Sequence, residues 1–491
     1  MRPSNDQRSF LRLALSIVGA ITLARLCILF ITPLQLYPDE AQYWWWAQSP
    51  DWGYFSKPPL IAWIVWTTTR LSDAEWAIRL ASPLLHAATA PALFGIGRLA
   101  YDARVGFWSA LAYITLPGIS YSSGLISTDV PLLLCWAVAL YAFLRARTEN
   151  GWQWPIICGL GLGIGLLAKY AMLYFLLGGA IAALFDPATR RLALSFRGLA
   201  IVALGLLIVL PNLIWNAQHG FPTLKHTEAN ADWNHARYSL GHAAAFGLGQ
   251  FGVFGPLMMA GWIGGLLGWR RGGDAGLVLA AFSVPLLILI VFQSFISEAN
   301  ANWAAAAYVA AVPLAVATLL RWWNARLLWI SLGLGSAAML ALWTAQVSPA
   351  LADRAGFGNA LKRQQGWREL GAAVVNEAGR VSYDAISAAN RSVLAELLYY
   401  AQPRAAPIRA WDRGSAPNDH FQMTMPLRAG ARNVLLVAQP DESSAMLASF
   451  DSAQLMRRLT IPLGRHHSRV LVLYNAHFYR GPPPTISIAP D

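Results

Sequence analysis

The chain has 491 residues, of which 56% are hydrophobic and only 13% charged, with a mean hydropathy of +0.42, a balance that excludes a soluble globular protein and reads as an integral membrane protein. The net charge of +12 does not mark a nucleic-acid binder, because in a chain that crosses a bilayer repeatedly the arginines sort by side of the membrane. The three cysteines, Cys27, Cys135 and Cys158, each lie inside an apolar run, which excludes a disulfide framework and a thiolate metal site.

A spanning helix needs about 20 mostly apolar residues. Taken in chain order, candidates fall at 10–32, 78–100, 105–121, 130–147, 152–168, 171–185, 198–215, 243–269, 275–296, 301–320 and 326–345, which predicts about eleven transmembrane helices. The first run is longer than a signal-peptide core and lacks a small-residue cleavage site, so it reads as a retained helix. With Arg2, Arg8 and Arg12 in the cytoplasm, the even-numbered connections carry Arg98 and Arg104, then Arg145 and Arg147, then Arg190, Arg191 and Arg197, then Arg270 and Arg271, then Arg321 and Arg326. Every connection expected inside is arginine-bearing, as the positive-inside rule requires. An odd number of spans then sends the C-terminus to the outer side.

Between the first two spans, residues 37–59 read YPDEAQYWWWAQSPDWGYFSKPP. Pro38 starts a helix, Asp39 and Glu40 suit its positively polarised N-terminus, and Tyr43, Trp44, Trp45, Trp46 and Trp52 belong at the headgroup level. Lys57 follows on a loop stiffened by Pro58 and Pro59, and residues 60–71 form a second helix that lies in the interface, too short to span. Such a layer can hold a lipid headgroup between a carboxylate and an ammonium. The plainer alternative is that the aromatics anchor the chain, Asp39 caps a helix and Lys57 meets any phospholipid.

The later outer connections add Asp129, then Lys169, then Asn216, His219, Lys225, His226 and Glu228, then Glu298, Asn300 and Asn302. Charged groups near the hydrocarbon boundary are costly unless they pair, snorkel or line a wet cavity, so a shared cavity at the outer surface accounts for them. Asp129 has the competing role of N-cap, and Lys169 that of snorkelling to ordinary phospholipids. His219 and His226 lie seven residues apart on an expected loop without a third ligand, which favours polar substrate contacts over a metal. From residue 346 onward the chain is more polar, with strand-like runs at 433–438 and 470–474 and a helix-like run at 387–402. The division expected is a membrane domain over 1–345 and a small α/β domain on the outer face over 346–491, with no fixed-period repeat and no low-complexity tract beyond the GPPP tail.

The stretch DEAQYWWWA followed by GYFSKPPLIAW resembles the first outer loop of the bacterial family that includes lipid A aminoarabinose transferases and relatives of protein O-mannosyltransferases. These are multi-spanning glycosyltransferases of the GT-C architecture. Further similar segments are STDVPLL around Asp129, GLGIGLLAKY ending in Lys169 and Tyr170, PNLIWNAQHGFPTLKH and EANANWAAAAYVA, so the resemblance covers roughly the first 345 residues. It implies a polytopic α-helical membrane protein of GT-C type in the bacterial inner membrane, with its active site on the periplasmic face. It also implies a sugar donor carried on polyprenyl phosphate and a lipid or glycan acceptor in contact with membrane lipids. Lipid A or lipopolysaccharide comes first among acceptors; a protein hydroxyl, another envelope glycan and the choice of sugar, uronic acid included, stay open.

One departure concerns metal. Where the aminoarabinose branch commonly has an acidic residue before the KPP lysine, this chain has Ser56, so no cofactor is required and a divalent metal is not predicted. The chemistry fits the remaining residues. Departing phosphate needs cations, which Lys57 and Lys169 supply, and Asp39 is placed to deprotonate or orient an acceptor hydroxyl. One displacement with one base predicts inversion at the sugar carbon. Glu40 either hydrogen-bonds the sugar or complements the helix dipole, and Asp129 holds the acceptor or orients Lys57. Tyr43, Tyr170, Asn216, His219, Glu298 and Asn302 complete the expected substrate contacts. A lipid-linked sugar flippase would instead place polar residues across the bilayer, and a noncatalytic lipid scaffold gives no role to Asp39.

Overall fold

In hydrocarbon every backbone N–H and C=O must be satisfied within its own segment, so the apolar runs fold as helices. The computed structural model describes residues 5–233, 236–268, 271–414 and 416–482, so Arg2, Arg270 and the last two prolines of the GPPP tail lie outside the described residues. Among the described residues, six helices are long and apolar enough to cross a membrane: Arg8–Ile31, Glu75–Ala100, Asp129–Thr148, Phe196–Gln218, Gly273–Ile296 and Ala325–Val347. Shorter apolar helices run over Gln153–Ala168, Tyr170–Phe185 and Ala307–Trp322. The protein is a multi-pass membrane protein.

The expected count of about eleven spans is not confirmed, because several apolar runs are broken. The run expected to be one span at 243–269 consists of two helices, Leu240–Phe254 and Pro256–Leu267, bent by 107°. Gly255 takes φ 88°, open to glycine without strain, and Pro256 has no N–H to continue the first helix, so it opens the second. The run at 105–121 likewise divides before Pro117, into Ala103–Thr115 and Pro117–Ser122.

The chain divides into two compact units, the first comprising Met1–Phe30, Lys57–Ile64 and Arg79–Trp343, the second Ile31–Ser56, Val65–Ile78 and Thr344–Asp491. In the first, Gln153–Ala168 packs against both Asp129–Thr148 and Phe196–Gln218. Its small residues permit this: a Cβ on Gly163 would meet Ile208 at 2.6 Å. That close approach fixes the end of the helix from which Lys169 emerges as C-cap.

The second unit holds a five-stranded sheet, β1 (Ala385–Ala388), β2 (Ile408–Ala410), β3 (Asn433–Ala438), β4 (Phe450–Pro462) and β5 (Ser468–Tyr479), in the order β2-β1-β3-β5-β4. The first three strands run parallel, with Ile386 opposite Leu435, and β5 is antiparallel to both neighbours, with Leu436 opposite Tyr474. β3 coincides with the run expected at 433–438, and the run at 470–474 lies inside β5. Pro38–Ala47 packs on Arg391–Tyr400, where the Trp44 and Tyr399 rings meet edge-on at 4.9 Å. Trp44 Nε1 donates to Asp73 Oδ1 at 3.0 Å and Tyr399 Oη donates to the Asp73 carbonyl at 2.6 Å, which ties the 65–78 segment to the same helix pair. The two helices expected from sequence between the first spans are present as Pro38–Ala47 and Leu60–Thr68.

Candidate active site

In the second unit, Pro38 fixes the first turn of a ten-residue helix that carries Asp39, Glu40, Gln42 and Tyr43. Asp39 Oδ1 accepts from Arg391 Nη1 at 2.8 Å, and the same nitrogen donates to Gln42 Oε1 at 2.5 Å. Arg391 is the first residue of its helix after the N-cap Asn390, a position where the helix dipole disfavours a cation. Burial pulls the Arg391 guanidinium down, but the Asp39 carboxylate beside it, together with Tyr43 and Asp419, holds it above its ordinary value. Asp39 and Arg391 side chains remain 42% and 36% exposed, so water and ligands reach the pair. Glu40, almost fully buried, accepts from the Tyr37 N–H at 2.9 Å and thus completes the helix N-terminus. Tyr43 is buried with its ring 5.5 Å from Trp46.

The loop leading to Lys57 is shaped by Tyr54. Its ring stacks on Trp46 at 4.5 Å, its hydroxyl donates to the Trp46 carbonyl at 3.2 Å, and His420 stands edge-on to both rings at 5.5 Å. Burial raises the Tyr54 phenol above its ordinary value, so it stays a neutral donor. Asp419, N-cap of the short helix that opens with His420, is raised by burial against the opposing pull of its backbone donors and of Arg391 and Arg413. Lys57 lies half-buried on the loop before Pro58 and Pro59.

In the first unit, Asp129 is the first residue of its helix, and the N-cap is Thr128. The capping alternative for Asp129 is therefore not realised. Its Oδ1 lies 2.7 Å from Lys169 Nζ and its Oδ2 accepts from Asn302 Nδ2 at 2.5 Å. The structure thus brings together three residues drawn from three separate connections. Tyr170 follows Lys169 and donates to Asn212 Oδ1 at 2.7 Å, while Asn216 Nδ2 donates to Tyr170 Oη at 3.2 Å. His219 donates from Nδ1 to the Trp215 carbonyl at 2.8 Å and stacks on the Trp215 ring at 4.2 Å. Glu298 pairs with Arg237 at 3.3 Å on the surface, with both side chains well exposed.

Sequence reasoning overlooked Arg391, Gln42 and His420. Arg391 had a legible signal, an arginine directly after an N-capping asparagine, where a cation needs a compensating anion. His420 had none. Among the described residues no group of three His, Cys, Asp or Glu side chains stands together as metal ligands would, and Ser56 offers no carboxylate.

Residues 56–215 match the model of the family described as dolichyl-phosphate-mannose-protein mannosyltransferase. Over 468 residues, 94% of this chain and 98% of the relative, the sequence is 33% identical to lipid A galacturonosyltransferase RgtD of Rhizobium johnstonii. Lipopolysaccharide core galacturonosyltransferase RgtA of the same organism is 27% identical over 40% of each chain. The fold is similar to the crystal structure of ArnT from Cupriavidus metallidurans bound to undecaprenyl phosphate, with a TM-score of 0.63 and 16% identity over 93% of this chain and 97% of that one. The end-to-end likeness to the lipid A enzyme, on a GT-C fold that carries the DE and KPP motifs, shows that the chain is a glycosyltransferase and belongs to the GT-C family of bacterial lipid A and lipopolysaccharide glycosyltransferases.

Proposed function

We propose that the protein transfers a galacturonosyl residue from a polyprenyl phosphate carrier to lipid A at the periplasmic face of the bacterial inner membrane. The observation that carries this reading is the 33% identity to the lipid A enzyme across 94% of the chain, through the spans and the sheet alike. A lipopolysaccharide-core acceptor is the second reading, favoured by the 27% identity to the core enzyme over 40% of the chain.

Asp39 accepts the proton of the acceptor hydroxyl while that oxygen bonds to the anomeric carbon. The bond from that carbon to the phosphate oxygen breaks, and polyprenyl phosphate leaves with the electron pair. General-base help of this kind is worth about 10² to 10⁴ in rate. Arg391 keeps Asp39 oriented through the 2.8 Å contact. Lys57 supplies positive charge to the departing phosphate, which needs no strong acid. Lys169 is engaged by Asp129 at 2.7 Å, so its role is to hold the Asp129–Asn302 group in place for substrate hydroxyls, with a secondary share in phosphate binding. Tyr43, Tyr170, Asn216, His219 and Glu298 are the further substrate contacts this reading assigns, with Glu40 holding the helix that bears Asp39. Attack opposite the leaving phosphate gives inversion, and these steps require no divalent metal.

The test is transfer by the full chain reconstituted in lipid, with polyprenyl phosphate galacturonate as donor and lipid A as acceptor. Lipid A gaining one galacturonosyl mass, with release of polyprenyl phosphate and a rate unchanged by excess chelator, is the expected result. Transfer from a nucleotide sugar alone, or none from the lipid-linked donor, would overturn the reading.

A further inference from the structure

Away from these clusters, exposed apolar and basic side chains meet at the end of a membrane span. Only Ser348 separates the spanning helix Ala325–Val347 from the short helix Pro349–Arg354. Leu34, three residues past the end of the first helix, is buried with Ala352 and Leu361 against Ala345. The segment from 349 to 361 is therefore fastened where two apolar helices end, which is where a bilayer boundary falls. On this segment Leu351 and Phe357 are 50% and 66% exposed, although neither belongs to a spanning helix.

The tip of the β4–β5 hairpin joins the same piece. The Leu463 N–H donates to the His467 carbonyl at 2.8 Å and closes the turn, with Gly464 at φ 106°. The Arg465 N–H donates to Asp353 Oδ2 at 2.8 Å. Just past the turn, Arg469 Nη1 donates to the Gln365 carbonyl at 2.6 Å and its guanidinium covers the Trp367 ring at 3.2 Å. Arg354, Lys362, Arg465, His466 and His467 are all exposed. Residues 354–368 and 452–475 contain no acidic residue, and the neighbouring Asp353 carboxylate is turned to the hairpin backbone.

Exposed apolar side chains ringed by basic groups at a bilayer boundary form the pattern of an interfacial anchor. We propose that residues 349–362 and the hairpin tip are a membrane-seating surface that binds anionic phospholipid headgroups. Leu351 and Phe357 enter the boundary between headgroups and acyl chains, and Arg354, Lys362 and Arg465 take the phosphates, with His466 and His467 beside them. The bilayer is the favoured partner over a protein because the surface begins within a few residues of a spanning helix, so the nearest anionic surface is the leaflet itself. The inference is independent of which sugar or acceptor is used. Its consequence is that the unit carrying Asp39 and Arg391 is fastened to the leaflet at a second place.

The test is hydrogen exchange of the full chain in nanodiscs of phosphatidylcholine alone and of phosphatidylcholine with phosphatidylglycerol. Amides of 350–361 and 464–467 should exchange at least about tenfold more slowly in the anionic discs, because several cations act together there. High salt and the Arg354→Glu, Lys362→Glu, Arg465→Glu triple variant should each abolish the difference while β3 amides exchange as before. If the triple variant loosens β3, the wild-type comparison between the two lipids decides alone. Equal exchange in both discs, or slow exchange that charge reversal leaves intact, would overturn the proposal, as would protection that appears only when another protein is added.

Discussion

The Asp39–Arg391 and Asp129–Lys169 pairs have nearly equal N···O separations, 2.8 and 2.7 Å, and opposite surroundings. In the first, both side chains are over a third exposed; in the second, the carboxylate is 9% and the lysine 20% exposed, and Asn302 takes the second carboxylate oxygen. An exposed ion pair adds little to stability and exchanges partners readily. A desolvated pair is held by what breaking it would cost. A group that must take and release a proton belongs in the first setting, and a group that fixes the mutual position of three connections belongs in the second. Carboxylates that look alike in sequence thus divide into one suited to chemistry and one suited to construction.

That contrast can be broken at several points. The largest effect is expected at Lys57, the main cation in the phosphate role: Lys57→Ala should lower transfer about 100-fold and Lys57→Arg less, since one anion-stabilising donor is worth about that much. Steady-state transfer with varied donor reads this, and unchanged turnover and donor affinity in Lys57→Ala would remove Lys57 from the site. Next, Asp129→Ala leaves Lys169 desolvated and unpaired, and should destabilise the fold by about 3 kcal/mol, read as a lowered melting temperature in detergent. The pair Asp129→Ala with Lys169→Met should recover much of the loss, and independent, additive effects would show that the two do not act together. The smallest effect on folding is expected at Arg391→Ala, about 0.5 kcal/mol for an exposed pair. Transfer should nonetheless fall about tenfold, because Asp39 loses its orientation, and Arg391→Lys should restore part of it. A melting shift as large as that of Asp129→Ala, with kcat untouched, would reverse the assignment of the two pairs.

Much of this was legible in the sequence. The DE and KPP motifs, the two short helices that carry or follow them and the strands at 433–438 and within 468–479 follow from local patterns that the structure repeats. What was not legible depends on contacts far apart in the chain. Arg391 lies 352 residues from Asp39, and only the pairing of two helices joins them. The meeting of Asp129 with Lys169 and Asn302 is likewise a product of packing, with the glycines of the Gln153–Ala168 helix setting where its end falls. The bend at Gly255 escaped notice because hydropathy averaged over a window does not respond to one glycine and one proline. Strand β4 has an almost wholly exposed pattern and so lacks the alternation by which strands are read.

The central claim is that Asp39 takes the proton of the acceptor. Asp39→Asn retains size and the ability to sit in a first helical turn, and loses only the base. The decisive measurement is transfer to lipid A by this variant in reconstituted membranes, at saturating donor and equal amounts of folded protein, alongside direct binding of the polyprenyl phosphate carrier. Turnover reduced at least about tenfold with carrier binding intact is the result the account predicts. Turnover close to that of the unaltered protein would contradict it and leave Asp39 a structural partner of Arg391.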